Sequence, residues 1–344
     1  MTAGTRETSA ARARHVGAFQ SSTSKRRYWI VIVCLLVLAA GLTWGLLAYE
    51  NPMDVGTRGH WLIAERRANS VMVMALVALC QAMATVAFHT VTGNRIITPS
   101  IMGFEALYVA IHTTTVYFFG AVGLTNARTV EMFLLQLVVM VGFSLLLYSW
   151  LLTGKNHMHA MLLVGVVMGG GLASLSTFMQ RMLTPSEFDV LTARLFGSVN
   201  NADPEYFPVA IPLALSGALL LLVHSRVLNV LALGRDPAIN LGVNHRGHAI
   251  YVLVLVSLLM AVSTALVGPM TFLGFLVATL AYQFADTYDH RYIFPMAALI
   301  GFVVMAGAYF VMNHIFYAQG IVSIIIELVG GVVFLAVILR KGSL

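Results

Sequence analysis

Apolar residues run along this chain in blocks long enough to cross a bilayer as helices, about 20 residues each, with short polar breaks between them. The blocks fall at about 28–49, 70–92, 100–120, 129–152, 158–180, 206–225, 248–267, 270–285, 293–316 and 321–340. They predict ten transmembrane helices. The eighth is short, and Gly268-Pro269 marks its boundary with the seventh. Ahead of the first block, residues 1–27 are polar and rich in Ser, Thr and Arg, which predicts a disordered cytoplasmic tail before a membrane domain over 28–344. The Tyr28–Tyr49 block is too long for a signal-peptide core and lacks a small-residue cleavage site, so it is expected to stay as an anchored helix.

One polar break stands apart. From Leu233 to Gly247 the chain reads Leu-Gly-Arg-Asp-Pro-Ala-Ile-Asn-Leu-Gly-Val-Asn-His-Arg-Gly. Asp236-Pro237 is a breaker pair, Ala238, Ile239 and Leu241 form an apolar patch of about one turn, and basic residues flank both ends. Between two membrane spans such a segment reads as a small amphipathic helix on the cytoplasmic face, offering a knob to another protein.

Composition agrees with the pattern. Hydrophobic residues make up 59% and charged residues 10%, against about 45–50% and about 25% in soluble domains. The class is an all-α polytopic membrane protein, because each helix satisfies its own backbone where lipid offers no partner. The net charge of +6 would suit nucleic acid, but the charges are scattered singly between spans. Topology explains them instead, and no nucleic acid partner is expected. With a cytoplasmic N-terminus, fourteen of the 20 basic residues fall on inner loops and tails, Arg340 and Lys341 among them. The outer loops collect acids such as Glu187, Asp189, Asp203 and Glu205. Both termini are therefore expected in the cytoplasm.

The chain carries no engine of its own. Its three lysines include none in a phosphate-cradling loop, since Gly154-Lys155 is followed by Asn156. No His-Glu-x-x-His, Gly-x-Ser-x-Gly or Cys/His ligand spacing occurs, and Cys34 and Cys80 lie inside apolar blocks as small hydrophobes. No enzymatic site and no cofactor is expected. Two acids do fall inside spans, Glu105 and Glu327. A charge at the bilayer centre costs about 2.5–3.5 kcal/mol on insertion scales, so each must face protein or water. They would serve either as proton or cation sites or structurally, capping or bridging helices or sitting neutral. The structural role is favoured because no intramembrane Lys or Arg accompanies them at helical spacing. Histidines 89, 112 and 314 read as structural groups rather than metal ligands. Gly165, Gly169, Gly170 and Gly171 suit tight helix contact or, alternatively, the wall of a wide pathway. A faint repeat, Thr98-Pro99 to Gly103-Phe104 against Gly268-Pro269 to Gly274-Phe275, has the form of an inverted-topology pair.

Six pieces then occur in a recognisable order: Asn94-Arg95 to Pro99 and Gly103, Gly197-Ser198, Asn240-Leu241-Gly242-Val243, Gly268-Pro269 to Phe272 and Gly274, Asp289-His290-Arg291, and Gly330-Gly331. In this order the chain after about residue 60 resembles the FecCD family, permease subunits of iron–siderophore ABC importers. Two departures occur. The family often opens its second helix with Arg-x-Pro-Arg, whereas here Arg67 is kept and Ser70 replaces the second arginine. Arg194 stands where a tryptophan commonly precedes the Gly-Ser motif.

The resemblance implies a type II ABC importer permease fold and import of a ferric siderophore by alternating access. It implies a second permease subunit, favouring a paralogue and hence a heterodimer, two ATP-binding subunits that use the ATP, and an extracytoplasmic substrate-binding protein. It places ATPase coupling on segment 229–247, at Arg235, Asp236, Ala238, Ile239, Asn240, Leu241 and Gly242. Binding-protein docking falls to Arg66 and Arg67, and a cytoplasmic gate to Met158 and His159. The alternatives are haem or cobalamin as cargo, or a proton-coupled secondary transporter that uses Glu105 and Glu327.

Overall fold

The computed structural model describes residues 17–49, 53–54, 56–126, 128–153, 158–316 and 322–341. Among them are thirteen α-helices and no strand. In order these are α1 (Ser22–Ala48), α2 (Arg58–Thr92), α3 (Phe104–Asn126), α4 (Val130–Thr153), α5 (Met158–Gln180), α6 (Pro185–Leu195) and α7 (Phe207–Val223). There follow α8 (Ser225–Leu231), α9 (Arg235–Asn240), α10 (His245–Val267), α11 (Leu273–Ala285), α12 (His290–His314) and α13 (Val322–Lys341). Eight are long and apolar enough to cross a membrane, and two shorter apolar helices, Leu273–Ala285 and Ser323–Ala336, bring the set to the expected ten.

The core forms around α2, which packs against α7, α10, α11 and α12. Its run of small residues lets neighbours approach closely, as at Ala78, whose Cβ lies where a Cβ on Gly301 of α12 would come within 3.2 Å. At 35 residues, α2 is about 50 Å long. It starts at Arg58, capped by Thr57, rather than near residue 70; hydropathy misses the first turns because they carry Arg58, Glu65, Arg66 and Arg67.

Two breaks meet inside the bundle. Gly93, at φ 63, ends α2, and the chain runs irregularly to Pro99 before α3 begins at Phe104 rather than at residue 100. On the other side, α11 has only 13 residues, about 20 Å. Thr271 before α11 donates to Glu105 Oε2 at 2.6 Å in the first turn of α3. Arg95 in the irregular stretch stacks over the Tyr282 ring at 4.5 Å. Burial rises along the stretch, from exposed Gly93 and Arg95 to buried Thr98, Pro99 and Ser100, so the part that enters the bundle is enclosed by protein.

Helix direction defines two faces. One carries α9, the 286–290 turn, the start of α1 and the end of α13. The opposite face carries the end of α6, Gly197 and Pro269. Both described ends of the chain thus lie on the α9 face. The expected tail needs correcting over residues 17–27. Ser21 caps α1 at Ser22, Ser24 Oγ donates to Asp286 Oδ2 at 2.8 Å, and Phe19 packs against Tyr28 and Tyr292 with centroids 5.4 and 4.8 Å apart. Hydropathy misses this anchor because its polar groups are satisfied by the 286–288 turn, far away in sequence, and its large apolar content is one aromatic ring. The remainder of the expected tail, residues 1–16, lies outside the described residues.

Candidate functional site

The α8–α9 segment is a compact projection. Gly234, at φ 95, turns the chain into α9 through a conformation that disfavours any side chain. At the other end, Val243 N–H bonds to Ala238 O at 3.0 Å and Gly242 N–H to Ile239 O at 2.9 Å, with Gly242 at φ 80. This is a Schellman closure, and it sets the helix end sharply. Ala238 is 0% exposed, whereas Ile239 is 50% and Leu241 63% exposed. The expected apolar face of Ala238, Ile239 and Leu241 is therefore corrected. Ala238 faces inward because helical geometry turns it toward the packing partners of α9, α8 and α10, while Ile239 and Leu241 face out with Leu233. Arg235, Asp236, Asn240 and Gly242 lie exposed around that patch.

A buried polar network ties the projection to the bundle. Asn229 on α8 donates to Asp289 Oδ1 at 3.1 Å, and its Oδ1 accepts from His290 N–H at 3.0 Å. The same oxygen lies 2.6 Å from His290 Nδ1, and His290 Nε2 lies 2.7 Å from Thr90 Oγ1 on α2. Asp289 caps α12 by accepting from Arg291 N–H at 3.0 Å and forms a 2.6 Å ion pair with the Arg291 guanidinium. Burial pushes the Asp289 carboxyl up, but hydrogen bonds from Arg291 and Asn229 outweigh it and hold the group below the ordinary aspartate range. The Asp-His-Arg element thus joins α8, α12 and α2. Asn229 is the member that sequence reading left unassigned within the 229–247 segment, since a lone Asn in a short helix gives no signal.

On the opposite face two further motifs touch. A Cβ on Gly197 would lie 2.1 Å from Pro269 O, Ser198 N–H bonds to Val267 O at 2.8 Å, and Ser323 N–H at the start of α13 bonds to Gly197 O at 3.3 Å. The lead-in is α6, a helix not foreseen in the span pattern. Its start was readable, because Thr184-Pro-Ser-Glu187 is a capping box with Pro at its first helical position. Hydrogen bonds from Thr184 hold the Glu187 carboxyl below its ordinary range.

The two arginines near the start of α2 have different surroundings. Arg67 Nη1 donates to Tyr49 O at 2.8 Å and Leu46 O at 3.3 Å, so it caps the carbonyl end of α1. Arg66 is exposed beside a cavity of about 540 Å³ lined by Glu65, Asn69, Asn200 and Pro204. Met158 and His159 begin α5, and their side chains lie outside the described residues, as do Lys155, Asn156 and His157. Gly165 and Gly169 face the 100–103 turn, where a Cβ on Gly169 would come within 3.0 Å of Gly103 Cα, while Gly170 and Gly171 face open space. Beyond them α5 exposes Leu163, Val167 and Phe178, and α13 exposes Leu328, Val332 and Leu335.

The profile of the FecCD transport family matches residues 28–340. The chain belongs to this family. It is 54% identical over 332 residues to petrobactin import system permease protein FatC of Bacillus anthracis, covering 96% of this chain and 94% of that one. Petrobactin import system permease protein YclO of Bacillus subtilis (strain 168) is 34% identical over 312 residues, covering 90% and 98%. Among solved structures, a metal-chelate type ABC transporter in an inward-facing conformation superposes with a TM-score of 0.75 at 20% identity, covering 91% of this chain and 99% of that chain. That likeness shows the fold, an ABC importer permease.

Proposed function

We propose that this chain is the permease subunit of an ATP-driven importer whose cargo is a ferric siderophore of the petrobactin type. The 54% identity to a petrobactin import permease across nearly the full length carries this reading. It is narrower than the siderophore class expected from the motifs, and it disfavours haem and cobalamin.

In this reading the Leu233, Ile239 and Leu241 patch seats in a cytoplasmic ATP-binding subunit, which places the α9 face and both termini in the cytoplasm. Closure of the paired ATPases on ATP moves α9. The rigid link from Asn229 through His290 to Thr90 passes that motion to α8, α12 and α2 together. A second permease, a paralogue of this chain, covers the exposed faces of α5 and α13, and the chelate crosses between the two subunits by alternating access. Met158 and His159 close the cytoplasmic end. Arg66 on the opposite face meets an acid on the extracytoplasmic binding protein, with Arg67 shaping that surface through its hold on α1. ATP acts in the partner subunits, and no cofactor resides on this chain.

Reconstitution with the partner permease, ATPase and binding protein in proteoliposomes tests the reading. Ferric petrobactin should enter only when ATP reaches the ATPase side, and haem and cobalamin should not enter. Chelate uptake that needs a proton gradient and proceeds without the ATPase would overturn it.

A further inference from the structure

A buried guanidinium lies near the face opposite α9 without a carboxylate. Arg194, 8% exposed, donates through Nη1 to Asn201 O at 2.9 Å, and its own carbonyl accepts from Tyr108 OH at 3.3 Å. Among the described residues it forms no ion pair. Beside it is a cavity of about 140 Å³ between α3, α4 and α10, lined by His112, Gln136, Arg128, Tyr206 and Arg194 among apolar groups. His112 Nε2 and Gln136 Nε2 are buried there without a hydrogen-bond partner. No carboxylate lines the cavity; Asp203 and Glu205 sit on the neighbouring turn and act on Tyr206 from outside it.

Burying an unpaired charge and two unpartnered polar groups together is costly, so a ligand that answers all three is called for. The layout along α4 says which kind. Arg128 precedes the helix at its membrane boundary, Gln136 lies about two turns deeper, and Leu135 and Val139 at the cavity edge are exposed at 56% and 41%. From the surface inward, the wall therefore offers positive charge, then hydrogen-bonding groups, then an apolar slope. A free inorganic anion would use only the first of these. A phospholipid uses all three: phosphate at the arginines, glycerol-ester oxygens at Gln136 and His112, and an acyl chain over Leu135 and Val139. Basic pockets between membrane helices hold anionic headgroups on the same principle.

We infer that Arg194, Arg128, His112 and Gln136 form a binding site for one anionic phospholipid, seated between α3 and α4 at the face opposite α9. Arg194 stands where the family resemblance expects a tryptophan, and the site does not involve the cargo.

The test uses the full chain in detergent, stripped of lipid and titrated with dioleoyl-phosphatidylglycerol or dioleoyl-phosphatidylcholine, with bound lipid counted by native mass spectrometry. One phosphatidylglycerol should be retained in preference to phosphatidylcholine. Arg128→Gln, at an exposed position, should weaken its binding about fivefold, the effect of one basic residue near an anionic headgroup. Arg194→Gln should weaken it further and Arg194→Lys less; if Arg194→Gln does not fold, Arg128→Gln and Gln136→Leu still decide. Equal retention of the two lipids, undiminished phosphatidylglycerol binding in the variants, or displacement of the lipid by inorganic phosphate would overturn the proposal. So would no lipid retained at all, which leaves the cavity to water.

Discussion

The amide oxygen of Asn229 meets His290 twice, at the backbone nitrogen at 3.0 Å and at the ring Nδ1 at 2.6 Å. One short helix is thereby fixed to the first turn of another, and the far side of the same imidazole reaches Thr90 on the central helix. Asn229→Ala should leave the two His290 donors without their partner, at a cost of about 1–3 kcal/mol per unsatisfied group, while Asp289 keeps its bonds from Arg291. The expected outcome is uncoupling: ATP hydrolysis by the assembled complex continues while chelate uptake falls. Parallel ATPase and uptake assays on one preparation check this. Equal retention of both activities would show that motion reaches α12 by another route.

Ala238 and Ile239 are neighbours in sequence with opposite surroundings, which separates folding of the projection from what it touches. Ile239→Asp places a carboxylate on an exposed surface, so the isolated permease should keep its yield and melting temperature. Seated against an apolar ATPase groove, the same carboxylate is desolvated without a partner, and uptake and ATPase co-purification should both be lost. Ala238→Leu should act in the reverse order, lowering stability first by about 1–3 kcal/mol through overpacking. If Ile239→Asp co-purifies normally, Ile239 is not in the interface.

Gly197 has a harder constraint than the helical glycines. A methyl group there would lie 2.1 Å from the carbonyl oxygen of Pro269, and that backbone is held by Ser198 and Ser323. Gly197→Ala should force the two turns apart and cost about 1–3 kcal/mol. Gly171→Ala, facing open space, should be neutral. Thermal unfolding of the two purified variants distinguishes them.

The ten-helix plan was legible because each span carries its own apolar block, and block length is fixed by the bilayer rather than by tertiary contacts. The ends were less legible. Residues 58–69 are helical although charged and polar residues flank their one short apolar run, Trp61-Leu62-Ile63-Ala64, and residues 17–27 are anchored by one ring and a few hydrogen bonds. Within the coupling segment the apolar letters of Ala238, Ile239 and Leu241 were visible, but which way each faces depends on the glycine turns at 234 and 242. The inward position of Ala238 followed only from three-dimensional packing. The two Pro-Gly breaks have the form of an inverted pair in the sequence, and the Thr271–Glu105 bond brings their turns together. Sequence shows where a helix stops, and the return path of the irregular 93–103 stretch is set by the room the other helices leave.

Arg66 and Arg67 were read as equivalents, and their surroundings divide them. Arg66→Glu should slow association of the binding protein, with the loss reduced at high salt and partly restored by reversing the partner's acid. Arg67→Glu should destabilise the isolated permease, because it replaces a cation that donates to the carbonyls at the end of α1 with an anion facing the same carbonyls. Stopped-flow association and thermal unfolding report the two effects separately. Loss of stability in the Arg66 variant with normal docking would reverse the assignment.

Glu105 tests the energy source. A proton-coupled carrier needs a group that binds and releases a proton within the membrane, and Glu105 and Glu327 are the acids placed to do so. Yet Glu105 Oε2 accepts from Thr271, so it joins the start of α3 to the turn before α11. Glu105→Gln removes titration while its amide oxygen can still accept that bond; Thr271→Val keeps the carboxyl group and removes the donor. If the acid is a bridge, Glu105→Gln should retain most ATP-driven uptake with the proton gradient collapsed, and Thr271→Val should do more harm, by about 1–3 kcal/mol of stability for the carboxylate oxygen left without its donor. If it is a proton carrier the order inverts, with Glu105→Gln dead and Thr271→Val active. Uptake and thermal unfolding of both variants, with Glu327→Gln as a companion, therefore separate the two roles by rank order rather than by the size of a single effect.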